Sequence, residues 1–226
     1  MTITIHSAMI QGSDEWHAAR CGLLTASEMG RIITAKALKP AANDKASAHL
    51  YELLAQRFTG YVEPTYVSDD MLRGQADEIE ARALYARHHA AIDEVGFVTR
   101  AFGDGLVIGC SPDGLVGDDG LIEIKSRRQK FQAETIVSNA VPDEYVIQVQ
   151  TALLVAGRAW CDFISYCGGM PLAVIRTWAN EAVQEAILAA AQSFEATLTE
   201  KLAVLQARAG DLIPTERRIE QEMIGL

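Results

Sequence analysis

Ser111-Pro112-Asp113-Gly114-Leu115-Val116-Gly117-Asp118-Asp119-Gly120-Leu121-Ile122-Glu123-Ile124-Lys125 is the stretch that decides the fold. Ser-Pro-Asp-Gly and Gly-Asp-Asp-Gly are both turn sequences, because Gly adopts backbone angles other residues avoid and Asp bonds its own backbone. The apolar run Leu121–Lys125 that follows them reads as a strand. Side chains alternate along a strand, so Glu123 and Lys125 share one face while Ile122 and Ile124 are buried on the other. Folding back through residues 117–120 brings Asp113 toward the face of Glu123. Two carboxylates and an ammonium so placed can hold a hard divalent cation and a water, and oxygen ligands favour Mg2+. Lys125 would then orient or deprotonate the water. An ordinary salt bridge on a hairpin would use the same residues, and these positions alone leave both readings open.

Working outward, Phe97–Phe102 and Leu106–Cys110 are short β-rich runs joined by Gly-Asp-Gly. Pro142 opens a helix to about Val155, ended by Gly157, and strands at Ala159–Cys167 and Leu172–Trp178 flank Gly168-Gly169. A long amphipathic helix runs from Glu181 to Ala209. Toward the N-terminus, Ser13 caps a helix over Asp14–Arg20, and Thr25-Ala26-Ser27-Glu28 has the form of a capping box opening a second helix. A basic loop (Lys36, Lys39, Pro40, Lys45) precedes helices at about Lys45–Arg57 and, after Gly74, at Gln75–His89. Helices, then a mostly antiparallel sheet with one helix inserted, then a closing helix give an α/β fold: a central mixed sheet with helices on both faces. No repeat or linker divides residues 1–226, so a single domain is expected.

The chain has 226 residues and a net charge of −10, with 49% hydrophobic residues and a mean hydropathy of +0.07. That excludes a disordered chain, and no apolar run has the length a membrane span needs. The N-terminus lacks the basic start and long apolar stretch of a secretory signal. The cysteines (Cys21, Cys110, Cys161, Cys167) have no zinc-type spacing and read as reduced cytoplasmic thiols. The acidity argues against a simple nucleic-acid coat. It is uneven, however: acids dominate residues 63–94 and 179–226, whereas 121–130 sets Lys125, Arg127, Arg128 and Lys130 against Glu123 alone. Such a run faces a polyanion or forms a solvated strand end.

Other candidates lie apart in sequence. Arg20 and Ser27, beside the expected helix N-terminus, could form a phosphate pocket or an ordinary cap with a surface Arg. Glu78 falls among acids that the start of a helix attracts for its dipole alone. Gln148 shares a helix face with Tyr145 and Ala152, as a site residue or a surface one. His88 and His89 are adjacent, so a helix points them apart and they are poor joint ligands.

Taken together, five segments resemble the phage lambda exonuclease family of the PD-(D/E)xK nucleases, whose fold is restriction-endonuclease-like. They are Glu15-Trp16-His17-x-x-Arg20-x-Gly22-x-x-Thr25-Ala26-Ser27-Glu28, Gly74-Gln75-Ala76-Asp77-Glu78, Ser111–Leu115, Leu121–Lys125 and Gln148-Val149-Gln150, in the family's order. The resemblance implies a Mg2+-dependent homotrimeric ring, with two ions per site and Mn2+ as a substitute. Such a ring degrades one strand of linear duplex DNA from a 5′-phosphorylated end to mononucleotides. The remaining 3′ single strand would pass to a single-strand annealing recombination protein in the cytoplasm of a phage's bacterial host. By the same resemblance Asp113, Glu123 and the main-chain carbonyl of Ile124 bind metal, Lys125 activates water, and Glu78 and Gln148 complete the site. Arg20, Ser27 and Ser111 hold the 5′-phosphate, Met71 and Leu72 form a wedge that splits the terminal base pair, and Arg127, Arg128, Lys130 and Lys36 are candidates for DNA contact. Departures fall after Lys125 and in the Lys36–Lys45 loop, where no single base can be matched. The rival expectations are a nuclease with the same metal core that cuts internally or at another DNA end, and a non-catalytic DNA-end-binding phage protein.

Overall fold

The turn-rich stretch folds as a hairpin. Strands β7 (Gly114–Val116) and β8 (Gly120–Ser126), numbered within the whole chain, pair antiparallel with Gly114 opposite Ile122 and Val116 opposite Gly120. Gly114 is required there because a Cβ would fall 2.1 Å from the Ile92 side chain. The computed structural model describes residues 2–64 and 68–217, so the last part of the acidic 179–226 stretch lies outside the described residues. Before the hairpin come β1 (Thr2–His6), α1 (Asp14–Arg20), β2 (Leu24–Thr25), a 3-10 turn (Met29–Arg31), β3 (Ile33–Thr34), β4 (Lys39–Pro40), α2 (Asp44–Thr59), α3 (Asp69–His88), β5 (Phe97–Gly103) and β6 (Leu106–Cys110). After it come α4 (Gln129–Ser138), α5 (Asp143–Ala156), β9 (Trp160–Tyr166), β10 (Ala173–Trp178) and α6 (Glu181–Ala209).

The strands form two four-stranded mixed sheets, β1-β5-β6-β2 and β10-β9-β8-β7, with a small β3-β4 hairpin beside them. Each large sheet contains one parallel pair, β2 with β6 and β8 with β9. The β8–β9 pair needs a long crossover, and α4 and α5 provide it. Helix α5 packs against β5 and β6 of one sheet and β9 of the other. It buries Ile147 and every residue from Val149 to Ala156, as expected of a helix that is apolar nearly all round. On the opposite side of β8, Ala81 and Tyr85 of α3 pack on Ile122, Ile124, Trp160 and Ile164. Helices α2 and α6 are joined by a two-pronged ion pair, Arg57 to Glu195, with N···O distances of 2.5 and 2.8 Å.

The mixed α/β architecture is as expected, but several local readings change. The sheet is mixed and mostly antiparallel, as expected, but it is divided in two. Thr25–Glu28 opens no α-helix: Thr25 pairs with Gly109 in β2, and only a 3-10 turn follows, without a side-chain cap. Helix α3 begins at Asp69, capped by Ser68, so Gly74 lies inside it. Strand β1 and helix α4 were not expected. All four cysteines are free thiols, three of them buried.

One polar network fastens α3 to the second sheet. The buried Asp162 carboxylate on β9 accepts from Tyr85 Oη at 2.6 Å and from Arg176 Nε and Nη2 at 2.8 Å each, and Arg176 stacks on Trp160. Burial pushes the Asp162 carboxyl up, but the hydrogen bonds from Arg176 and Tyr85 override it and leave the group below its ordinary value. Its contribution to stability is therefore present above the ordinary carboxylate range and lost as pH falls through the depressed folded value. Tyr85→Phe should lower the unfolding free energy by about 2 kcal/mol, as measured by urea unfolding at neutral pH. Asp162→Asn should flatten the acid limb of the same stability profile.

Candidate active site

Strand β7 stops short of β8, and the site fills the gap. The Asp113 N–H donates to the Ile122 carbonyl at 3.2 Å, extending the ladder by one bond. Beyond it the Ile124 N–H has no β7 residue to meet, and it donates to Asp113 Oδ2 at 2.5 Å. A strand residue projects its N–H and C=O to the same side, so the Ile124 carbonyl opens toward Asp113 as well. Glu123, 3% exposed, points to the α5 side. Its Oε1 accepts from Lys125 Nζ at 2.7 Å and from Gln148 Nε2 at 2.5 Å. The Lys125 ammonium also lies 5.3 Å from the Tyr145 ring centre. Glu78 comes in from α3, paired with Arg82 one turn later.

The electrostatics of this cluster are those of acids crowded together. Withdrawal of the Asp113 carboxyl from water, then repulsion by Glu123 and Glu78, raises it well above its ordinary value. Burial raises Glu78 too, against the pull of Arg82. Burial alone would lower Lys125, but Glu123 and Asp113 carry it above the usual ammonium range. Three acids face two cations, so full ionisation leaves the cluster negative. Among the described residues no three His, Cys, Asp or Glu side chains are close enough to enclose an ion by themselves. A cation here must therefore draw on a main-chain carbonyl and water besides Asp113 and Glu123. Hard oxygen donors and an excess of negative charge fit Mg2+.

Two residues before Asp113, Ser111 belongs to a second cluster. The Arg20 guanidinium donates to Ser111 Oγ at 3.5 Å, Thr25 Oγ1 at 3.3 Å and Ser27 Oγ at 3.4 Å, and it stacks on the Trp16 ring at 4.2 Å. Trp16 Nε1 donates to Ser111 Oγ at 2.9 Å. The hydrogen bonds of Arg20 go to hydroxyls, none to a carboxylate, and burial presses its pKa down. A guanidinium desolvated without a bonded acid is suited to receive an anion. No α-helix opens at Thr25–Glu28, so the pocket expected from that helix N-terminus is instead made of hydroxyls and of Arg20, the last residue of α1.

The structure thus brings together Asp113, Glu123, Lys125, Gln148 and Glu78, and separately Arg20, Ser27 and Ser111. Met71 and Leu72 lie in the first turn of α3 with side chains about half exposed, at 46% and 54%. The basic residues differ from one another. Arg127, one of the candidates for DNA contact, is buried, and its Nη1 donates to Glu144 at 2.6 Å and to Tyr145 Oη at 2.7 Å. Arg128 is exposed and bonded to Asp70, Lys130 lies over the Phe131 ring, and Lys36 sits on the exposed β3–β4 turn. Sequence reading gave no role to Trp16 or Arg82. Each lies four residues from a candidate, Arg20 and Glu78, and that helical spacing is the signal that finds them.

Comparisons with known proteins place the chain in a family. Residues 15–159 match the model of the YqaJ-like viral recombinase domain. An alkaline exonuclease from Laribacter hongkongensis, LHK-Exo, is 33% identical with a TM-score of 0.78, over 89% of this chain and 100% of that one. The same protein in complex with dAMP gives 34% and 0.79 over the same shares. A phage related exonuclease from Haemophilus somnus 129PT, 14% identical, shares the fold with a TM-score of 0.55 over 80% of this chain and 96% of that one. No curated protein sequence matches. With the family model covering well over half of the chain and the fold restriction-endonuclease-like, this chain belongs to the YqaJ-like viral recombinase family, the group of the phage lambda exonuclease.

Proposed function

We propose that the chain is a DNA exonuclease that hydrolyses one strand of linear duplex DNA, 5′ to 3′, from a 5′-phosphorylated end. The observation that carries this reading is the Ser111–Asp113 turn, which joins the Arg20 anion pocket to the carboxylate cluster. Two residues span at most about 7 Å, so a terminal phosphate on Arg20 sets the first internucleotide linkage beside Asp113. The products are then mononucleotides, and a 3′ single strand remains. Asp113, Glu123 and the Ile124 carbonyl would hold Mg2+ (two ions, with Mn2+ as a substitute), which would supply an activated water and stabilise charge on the phosphate and the leaving 3′-oxygen. Lys125 is held protonated while Glu123 and Asp113 are uncompensated, so it becomes a base only once those acids are engaged. Gln148 orients Glu123, and Glu78 adds charge on the α3 side. Water attacks phosphorus, the P–O3′ bond breaks, and the shortened strand keeps a new 5′-phosphate for the next cycle.

The reading extends, on the family resemblance, to a cytoplasmic homotrimeric ring that encloses the duplex and hands the 3′ strand to a phage single-strand annealing protein. Met71 and Leu72, exposed at the start of α3, would split the terminal pair. Arg128, Lys130 and Lys36 remain candidates for backbone contact. Among the described residues no helix is long and apolar enough to cross a membrane.

A digest of linear duplex DNA tests the core of this. Lys125→Ala should slow Mg2+-dependent mononucleotide release by about 10²–10⁴-fold, and chelator should abolish it. Equal rates for variant and parent, or activity in chelator, would remove the reading; cutting of closed circles would point to an internal nuclease. Arg20→Ala should erase the preference for 5′-phosphorylated over 5′-hydroxyl ends, and solution mass tests the ring. Because the folded Asp113 carboxyl is raised, its contribution to stability is present at acid pH and lost as pH rises through the folded value. Asp113→Asn should accordingly melt about 2–4 °C higher than the parent in chelator at neutral pH, the shift roughly 1 kcal/mol gives in a domain of this size. The gain should vanish in acid.

A further inference from the structure

Arg82 has no part in the reaction described so far, yet its guanidinium reaches three segments of chain. Nε donates to the main-chain carbonyl of Asp113 at 3.0 Å, Nη2 to Glu78, and Nη1 to Glu94 Oε2 at 3.1 Å. The Arg82 side chain is largely buried, so its bonds to Asp113 and Glu78 are partly sheltered from water, while the one to Glu94 lies at the surface. A guanidinium is planar, and donors fixed in one plane hold their acceptors at set separations, which a flexible ammonium does not. The segment bearing Glu94 is itself fixed, because Asp93 and Leu115 exchange two backbone hydrogen bonds of 2.8 Å. Arg82 therefore grips the turn carrying Asp113 from the carbonyl side, while the Asp113 side chain is held by the Ile124 amide on the other.

We infer that Arg82 is a positioning residue for the metal site: one guanidinium sets where Glu78 stands relative to Asp113 and keeps the two acids together before a cation arrives. The inference rests on the proposed reading of Asp113 and Glu78 as acids of that site. Lys125 cannot do the same work, since its ammonium is engaged by Glu123 at 2.7 Å. Without Arg82, Glu78 loses its counter-charge and the Asp113 carbonyl its donor, so the acids separate and bind a cation more weakly.

The test is Mn2+ binding to the DNA-free full chain by titration calorimetry, with the Mg2+ dependence of DNA digestion measured in parallel. Arg82→Ala should weaken Mn2+ binding about 10–100-fold, the usual effect of removing a group that orients a metal ligand. The Mg2+ concentration for half-maximal digestion should rise by a similar factor, with the rate largely recovered at saturating metal. Arg82→Lys should fall between, because one ammonium can serve Glu78 or the carbonyl but not the whole fork. Arg176→Ala, which loosens α3 through Asp162 and Tyr85 without touching the acids, should bind Mn2+ as the parent does. Parental affinity in both Arg82 variants would overturn the inference, as would an equal loss in Arg176→Ala. If Arg82→Ala does not fold, Arg82→Lys against Arg176→Ala decides in the same way. A parent chain that binds no Mn2+ overturns the metal reading of the whole site, and this inference with it.

Discussion

The hydrogen bond from the Ile124 amide to the Asp113 carboxylate is the contact on which the site depends. A buried strand amide left without a partner is costly, and β7 is too short to supply one. The side chain at the head of β7 takes over as acceptor. In doing so it fixes one carboxylate, two residues from Ser111 of the anion pocket, against the edge of β8 at Ile124, the residue that follows Glu123. A longer β7 would satisfy the same amide with backbone and leave no opening beside the Ile124 carbonyl. The site is thus a consequence of a sheet ladder that ends early, with acids placed where the ladder would have continued.

The parts legible in sequence are those decided locally. The β7–β8 hairpin announces itself by two turns and an alternating strand, and α5 by Pro142, an apolar run and Gly157. Long-range partners decide the rest. Strand β1 pairs with β5, more than ninety residues away, and nothing near Thr2–His6 signals it. Helix α4 buries Gln132 and Thr135, so it lacks the apolar stripe that marks a helix. Gln132 is instead satisfied by the Ser165 and Pro171 carbonyls, which only the folded chain brings near. The Thr25–Glu28 capping signal is overridden because β6 offers Thr25 a ladder, and pairing within a core outweighs a local preference. The site residues were legible as a set because five motifs kept a known order; their partners Arg82 and Trp16 were not.

The charge illustrates the same limit. Counting bases in residues 121–130 treats each as free, yet Arg127 is tied to Glu144 and Arg128 to Asp70. By contrast the hydrogen bonds of Arg20 go to hydroxyls, and the acid that acts on it through space, Glu28, is itself ion-paired with Arg31. What a cation offers a polyanion depends on which acid it already faces, and net charge carries no record of that.

The placement of α5 between the two sheets has a further consequence. Gln148 rides on a helix whose neighbouring residues are almost all buried, so that wall opens only when the whole core does. Glu78 rides on α3, which buries only Ala81 and Tyr85 fully and leaves the rest half-buried or exposed. The two walls are therefore expected to fall in different tiers of the hydrogen-exchange hierarchy, with α5 amides exchanging last. On the proposed reading a nucleic acid would meet one wall set in the core and one set near the surface, and the second carries the exposed Met71 and Leu72.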